Sequence, residues 1–346
     1  MMNGETVMIV STMRNEGPYI LEWVAHHAAL GVDEFLIFTN DCDDHTDEIL
    51  SRLGKTLRVR QVPNPKTMFP DRGNWQVMAQ RFARKFGDYQ AADWIYHTDA
   101  DEFLQIRTSD RTLDSFYSAA ADQAGDFHAV SFTSVPFSSA GEKALDARPV
   151  QTRYTRMNKH YAAHSEGDKP LINAVKTMFR NDVDFDLRRN HRPYMTAFSA
   201  QGLTWVDGSG NALGPEYTDT KFKAINATTS TKLAQMNHYA IKCAEAYLIK
   251  LDRGDVVGSD RLGRDTNYWT KYNASGDETT EYATLSPQAQ TLFDQFLADP
   301  ALARLHQKAL EVHQGKIAAM KQDPEWCRVA GLLGLDWGTD VVPTTG

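Results

Sequence analysis

One stretch of this chain, Trp94 to Leu104, combines residue types and spacing with a definite chemical meaning: Trp-Ile-Tyr-His-Thr-Asp-Ala-Asp-Glu-Phe-Leu. The β-formers Trp94, Ile95 and Tyr96 lead into three carboxylates, Asp99, Asp101 and Glu102, and apolar Phe103 and Leu104 close the run. Such a pattern reads as a buried strand emerging at the edge of a sheet. In extended chain, residues i and i+2 share a face, so Asp99 and Asp101 are expected to project together with Cα atoms about 7 Å apart. Two unpaired carboxylates held that close repel, and a hard cation between them relieves the repulsion. Oxygen ligands of this kind suit Mg²⁺ or Mn²⁺, which keep positions open for water and phosphate. The alternative is an acidic turn solvated at a strand end. The apolar residues on both sides argue against it.

The elements that must position this stretch begin at the N-terminus. Val7 to Ser11 reads as a buried strand, followed by the loop Thr12 to Pro18 and a helix from about Tyr19 to Leu30, stopped by Gly31. Glu34 to Phe38 is a second strand, Thr39 to His45 a polar loop, Thr46 or Asp47 to Leu53 a short helix, and Leu57 to Val62 a third strand. This β-α-β-α-β order predicts a Rossmann-like parallel sheet covered by helices. Ligands in such sheets bind beyond the carboxyl ends of the strands. The loops Thr12 to Gly17 and Asn40 to Asp44 and the Asp99 cluster are therefore expected to converge on one crevice. Some of the acids at 40–44 have a plain alternative role as caps of the next helix.

Further along, Pro63 to Gly73 reads as a loop, and Arg72 at its end is placed to reach that crevice. Asn74 to Phe86 has helical periodicity, Leu113 to Ala121 is helical, and His128 to Val135, Lys176 to Arg180 and Leu203 to Asp207 read as strands. Met236 to Ile241 contains His238 among apolar residues, where a histidine is commonly part of the core. Ala244 to Arg253 is helical and gathers Lys242, Lys250 and Arg253 at its ends. Ser286-Pro287 and Asp299-Pro300 are helix-starting pairs that predict helices over 287–298 and 300–321. These read as a helical extension for packing or for association between copies.

Composition excludes several classes. A formal net charge of −8 disfavours nucleic acid as a partner. No stretch approaches 18 apolar residues, and the N-terminus lacks a basic region before its short apolar run, so neither a membrane span nor a signal peptide is expected. Three cysteines without CxxC spacing suggest reduced thiols and a cytoplasmic protein, at most peripheral at a membrane. Gly208, Gly210 and Gly214 lack dinucleotide-binding spacing, and Gly54-Lys55-Thr56 lacks the upstream glycine of a P-loop.

Taken together, these residues resemble the GT-A-fold glycosyltransferases of the family 2-like type, close to the family 92 proteins. Four segments carry the resemblance: Met13-Arg14-Asn15-Glu16, Asn40 to Thr46, Trp94 to Leu104 with its Asp-x-Asp-Glu-Phe, and Asn237-His238-Tyr239 with Lys242, Lys250, Arg253 and Gly254. It runs from about residue 6 to 255. Pro136 to Gly141 departs from the family's Phe-Gly-Ser-type loop. The resemblance implies an α/β fold of GT-A type, a Rossmann-like mixed sheet flanked by helices, over residues 1–255, with a helical C-terminal extension over 256–346. It implies a nucleotide-sugar donor, with a UDP type favoured, a glycan-like acceptor, and Mn²⁺ or Mg²⁺ as cofactor.

The resemblance also assigns roles. Asp99, Asp101 and His238 would hold the cation. Thr12, Arg14, Asn15, Glu16, Asn40 and Asp41 would hold base and ribose, with Asp99 also facing the donor. Lys176, Lys250 and Arg253 are candidates for the diphosphate or donor sugar, surface roles being the alternative for each. Inversion needs a general base. Asp207 is the candidate that the resemblance points to, and His191 is its rival. Asp207 also has a simpler role, opening the turn at Gly208 to Asn211. Two other classes compete: a metal-dependent nucleotidyltransferase or phosphohydrolase, and a non-catalytic carbohydrate-binding relative. The intact acid pair and late histidine speak against the latter.

Overall fold

A computed structural model of the chain describes residues 2–159, 174–185, 190–195, 202–214, 217, 231–254, 265–279, 281 and 284–337. The first apolar runs form the parallel strands β1 (Val7–Met13), β2 (Glu34–Thr39) and β3 (Val59–Pro63), joined by helices α1 (Ile20–Ala29) and α2 (Thr46–Leu53). Strand β4 (Trp94–His97) pairs with β1 on its other side, Val7 opposite Trp94 and Val10 opposite His97. Before it come α3 (Trp75–Ala83), capped by the Asn74 side chain, and the short α4 (Gly87–Ala91).

Past β4 the sheet becomes mixed. The later strands are β5 (Glu102–Ile106), β6 (Ala129–Pro136), β7 (Arg156–Asn158), β8 (Val175–Arg180), β9 (Trp205–Asp207), β10 (Ala234–His238) and β11 (Ser275–Glu278). The main sheet runs β3-β2-β1-β4-β8-β6-β10-β5, with β9 beside the first half of β6, while β7 and β11 pair separately. This is the α/β fold with a Rossmann-like mixed sheet flanked by helices expected from the sequence.

The central strands are buried on both faces, and their period of two separates two cores. Val7, Ile9, Phe35, Ile37, Trp94 and Tyr96 face α1 and α2, whereas Met8, Val10, Leu36, Phe38 and Ile95 face Ala79 and Ala83 of α3. Each such side chain, withdrawn from water, contributes about 1.5–3 kcal/mol. Helix α5 (Leu113–Ala124), with a Thr112–Ser115 capping box, covers the first face, and the short α6 (Val150–Arg153) follows β6.

Downstream lie α7 (Ala244–Arg253), α8 (Asp265–Tyr272), α9 (Pro287–Ala298), α10 (Pro300–Met320) and α11 (Pro324–Leu332). Ser286, Asp299 and Asp323 cap the last three with their side chains, each followed by proline. Helix α9 packs on α1, and α10 packs on α2. Their Phe293, Phe296, Leu302, Ala309 and Leu310 share one core with Trp23 and Leu50. Among the described residues, no helix is long and apolar enough to cross a membrane. The three cysteines are free thiols.

Two features differ from the sequence expectation. Residues Asp99 to Glu102 form a turn, closed by Glu102 N–H donating to the Asp99 carbonyl at 3.1 Å, instead of continuing the strand. Asp99 and Asp101 therefore do not share a strand face. The second is β5 itself, which starts at Glu102 and pairs antiparallel with β10, His238 opposite Glu102. That pairing brings the late histidine beside the acidic turn.

Candidate active site

The acidic turn is held by two lysines from distant elements. Lys176 projects from β8 with no exposed surface and donates to Asp99 Oδ2 at 2.8 Å. It also lies 3.0 Å from Glu102 Oε2. Asp99 Oδ1 accepts from Gln76 Nε2 at 2.9 Å, and Oδ2 accepts additionally from Asn190 Nδ2 at 3.3 Å. Burial works to raise the Asp99 carboxyl, but the Lys176 ammonium outweighs it and keeps it ionised below the usual range. Glu102 goes the other way. Burial dominates there, and the neighbouring aspartates add to it, so its carboxyl is lifted above the usual range despite Lys176.

Asp101 is held separately. Its Oδ2 accepts from Lys250 Nζ at 2.8 Å, and Lys250 also donates to the Ala240 carbonyl at 2.7 Å. Its Oδ1 faces His238 Nε2 at 3.7 Å, too long for a hydrogen bond. Burial lowers the His238 pKa to about 4 against the pull of Asp101, so the imidazole is neutral at physiological pH. Neutral imidazole is the form that binds a metal.

The residues present fit a divalent cation at one place. Asp101 Oδ1 and His238 Nε2 point at each other across a gap that two ligands of one ion can span, with bonds of about 2.1 Å each. Asp99 is held apart from this pair, its oxygens accepting hydrogen bonds from Gln76, Lys176 and Asn190. Among the described residues, no three His, Cys, Asp or Glu side chains form a ready metal cluster. The remaining positions on a cation at Asp101 and His238 would be filled by water and phosphate oxygens, as Mg²⁺ and Mn²⁺ ordinarily allow.

The loops after β1 and β2 are tied to each other, and the first of them to the end of α7. Asp43 N–H donates to Asn15 Oδ1 at 3.0 Å, Glu16 N–H to Thr46 Oγ1 at 3.0 Å, and Gly17 N–H to Asp44 Oδ2 at 2.9 Å. At Gly17 a Cβ would meet the Asp44 carbonyl at 2.5 Å and Ala309 Cβ at 2.7 Å, so the close approach requires glycine. Arg253 pairs with Glu16 and donates to the Arg14 carbonyl at 2.6 Å, while Arg14 Nη1 donates to the Arg253 carbonyl at 2.7 Å. The end of α7 is thus locked to the β1 loop. Asn15, Asp41 and Lys242 all hold φ near +50°, the strained region that clusters at functional loops.

The structure brings together Arg14, Asn15, Glu16, Asp99, Asp101, Lys176, His238, Lys250 and Arg253. Asn40 is buried and donates to Asp41 Oδ2 at 3.1 Å beside this group, and half-buried Thr12 stands on β1 opposite Phe38. Arg72 is exposed and lies over the Phe69 ring at 5.8 Å, on its own loop. His191 is drawn in: its Nδ1 contacts the Val175 carbonyl at 3.2 Å, and burial and then Lys176 lower its pKa, with Asp99 acting against them. Asp207 is placed elsewhere. Its carboxylate accepts from Ser209 N–H at 2.7 Å, Asn211 N–H at 3.0 Å and Asn211 Nδ2 at 3.1 Å, all within its own turn. That turn rests on α5 through Gly210 and Ala120.

Sequence reasoning missed Gln76 and His313 as members of this region, and singled out Lys242 without giving it a role. A pocket beside Asp101 is lined by Asn15, Glu16, Tyr19, Lys242, Lys250, Arg253 and His313. His313 reaches it from α10, and its Nε2 pairs with Asp44 Oδ2 at 2.9 Å. A histidine inside a regular amphipathic helix gives no sign in the sequence of a loop 269 residues away.

The chain is 25% identical over 177 residues to a glycosyltransferase family 92 protein of Ricinus communis, covering 48% of this chain and 30% of that one. A family 92 protein of Oryza sativa subsp. japonica is 26% identical over 100 residues, 29% of this chain and 16% of that one. The chain thus spans less than a third of the length of these relatives. Among solved structures, S. aureus TarS 1–349 aligns at TM-score 0.33 and 11% identity, covering 91% of this chain and 92% of that one. Glucosyl-3-phosphoglycerate synthase from Mycobacterium tuberculosis aligns at 0.25 and 18% identity, over 38% of this chain and 44% of that one. At those scores neither likeness carries an argument about the site. The sequence profile of glycosyltransferase family 92 matches residues 5–184, more than half of the chain, and the chain belongs to that family.

Proposed function

We propose that this protein is a glycosyltransferase that moves a sugar from a nucleoside-diphosphate donor, UDP-linked as first choice, to a hydroxyl of a glycan-like acceptor, with inversion. The observation that carries the reading is the meeting of Asp101 with His238 and Lys250, where Lys250 also lines the pocket bordered by Asn15, Glu16 and Arg253. Acid, neutral imidazole and ammonium converge there, as a diphosphate and its cation require. Asp101 and His238 would hold Mn²⁺ or Mg²⁺, which when bound supplies Lewis-acid stabilisation of the departing diphosphate. Lys176 fixes the Asp99 carboxylate through a hydrogen bond in a water-poor site, so that Asp99 is preorganised toward the donor.

The proton of the attacking hydroxyl goes to His191 in this account. Its Nδ1 carries the hydrogen donated to the Val175 carbonyl, which leaves Nε2 as the acceptor. The acceptor oxygen bonds to the anomeric carbon as the bond to the diphosphate oxygen breaks, and the nucleoside diphosphate leaves with the electron pair. Asp207, engaged in its own turn, is not given this role. The free thiols agree with a cytoplasmic setting.

A thermal-shift panel of nucleotide sugars with and without Mn²⁺ tests the reading. At least one donor should raise the melting temperature by several degrees in Mn²⁺ and far less in chelator. A flat panel in both conditions would remove the donor-site assignment.

A further inference from the structure

Among the described residues, every lysine and arginine lining the pocket beside Asp101 has an anionic partner except one. Arg253 is paired with Glu16 and Lys250 with Asp101. Lys242 is only 6% exposed. Among the described residues, its ammonium has no carboxylate at ion-pair distance and no hydrogen bond, and its neighbour is the Tyr19 ring, 4.4 Å from Nζ to the centroid. A buried lysine is ordinarily paired, because an unpaired buried charge is expensive. This one is also held at φ +52°, in the left-handed region that costs a non-glycine residue energy. In the same pocket, buried His313 Nδ1 has no hydrogen-bond partner. Two polar groups thus stand without partners in a single pocket, one of them positively charged.

We propose that Lys242 binds the donor's diphosphate, as the cation in this pocket left free for a phosphate oxygen. The inference rests on the donor-site reading above and assigns one residue within it. The chain as a whole is acidic, so this cationic spot is local and not part of a general excess of basic residues. An ammonium is a compact point charge with rotatable donors, suited to a phosphate oxygen, and Tyr19 beneath it keeps water away on one side. Burial, the largest influence, lowers the Lys242 pKa, with Glu16 and Asp101 acting against it; a bound phosphate would add to their side.

The test is calorimetric titration of the full chain in Mn²⁺ with UDP, GDP and inorganic pyrophosphate, the last a base-free probe. Lys242→Asn is the main variant, since asparagine tolerates the left-handed backbone, and Lys242→Arg keeps the charge. Loss of one charge-assisted contact is expected to weaken pyrophosphate and nucleoside diphosphate by about 10- to 100-fold in Lys242→Asn. Lys242→Arg should stay within a few-fold of the parent. Affinity for Mn²⁺ alone, which a general loosening of the site would lower, should not change. Unaltered pyrophosphate and nucleotide affinity in Lys242→Asn overturns the role of Lys242 while leaving the donor site standing. A parent protein that binds none of the three probes overturns the donor-site reading and this inference together. If Lys242→Asn does not fold by circular dichroism, Lys242→Gln replaces it and the same outcomes decide.

Discussion

Lys250 Nζ and His238 Nε2 take opposite oxygens of one carboxylate: Asp101 Oδ2 lies 2.8 Å from the lysine, and Oδ1 lies 3.7 Å from the imidazole. The acid is thus neutralised on one side while it faces a neutral nitrogen donor on the other. Asp99, two residues away, has a separate lysine and no histidine. The two aspartates of one short motif therefore have different work, which leads to the first prediction.

Asp101→Asn should remove the Mn²⁺ dependence of nucleoside-diphosphate binding altogether. Asp99→Asn, acting through Lys176 and Gln76, should weaken it by about tenfold, the scale of an outer-sphere partner. Titration of UDP with and without Mn²⁺ checks this. Equal losses in the two variants would argue against the division of roles.

Lys176, with no exposed surface, neutralises Asp99 and lies 3.0 Å from Glu102. Lys176→Met leaves the half-buried Asp99 carboxylate without its cation and should destabilise the fold by about 1–3 kcal/mol at neutral pH. Urea denaturation measures it. A loss under 1 kcal/mol, within the range of an exposed pair, would mean that the triad is solvated in solution.

His26 offers a pH signature away from the site. Its Nε2 lies 2.6 Å from the Leu104 carbonyl and Nδ1 lies 3.3 Å from Gln151 Nε2, inside the core. Burial lowers its pKa to about 4 in the folded protein, while the Leu104 carbonyl acts against it. The unfolded chain takes up a proton near pH 6.5 and the folded chain does not, so stability is lost as pH falls from about 6.5 toward 4. At 1.36 kcal/mol per unit the loss from this group approaches about 3 kcal/mol. His26→Gln should flatten that part of the curve of urea midpoint against pH. An identical curve in the variant would show that His26 titrates normally.

The C-terminal helices are coupled to the β1 and β2 loops through Asp44 and His313. With Gly17 N–H and Thr46 on the same carboxylate, this buried pair fastens α10 to the site. A double-mutant cycle of Asp44→Asn and His313→Ala should give a coupling of about 1–3 kcal/mol in urea denaturation. Additive effects would mean that packing of Ala309 and Leu310 alone holds the helix.

Much of the scaffold was legible because local periodicity and burial agree. Strands β1 and β2 are short apolar runs bounded by turn residues, and α7 and α9 fall where their apolar spacing and caps put them. Strand β5 was not legible. Its Phe103 and Leu104 read as the closing bracket of β4, and only the pairing with β10 makes it a separate strand. The acids were found by spacing, but their charge balance was not, because the compensating lysines lie 77 and 149 residues away. The expectation of unpaired, repelling carboxylates failed for that reason. Gly17 shows the same limit: the sequence has a glycine in a loop, and the Asp44 carbonyl and α10, both at contact distance, explain it.

The account stands most directly on a cation between Asp101 and His238. Crystals grown with Mn²⁺ and UDP, measured at the manganese absorption edge, give its position without assumptions about activity. The predicted result is a single anomalous peak within about 2.0–2.3 Å of both Asp101 Oδ1 and His238 Nε2, with Lys250 displaced toward the diphosphate. A peak bound elsewhere, or UDP seated beside Asp101 with Lys250 unmoved and no manganese, would contradict it.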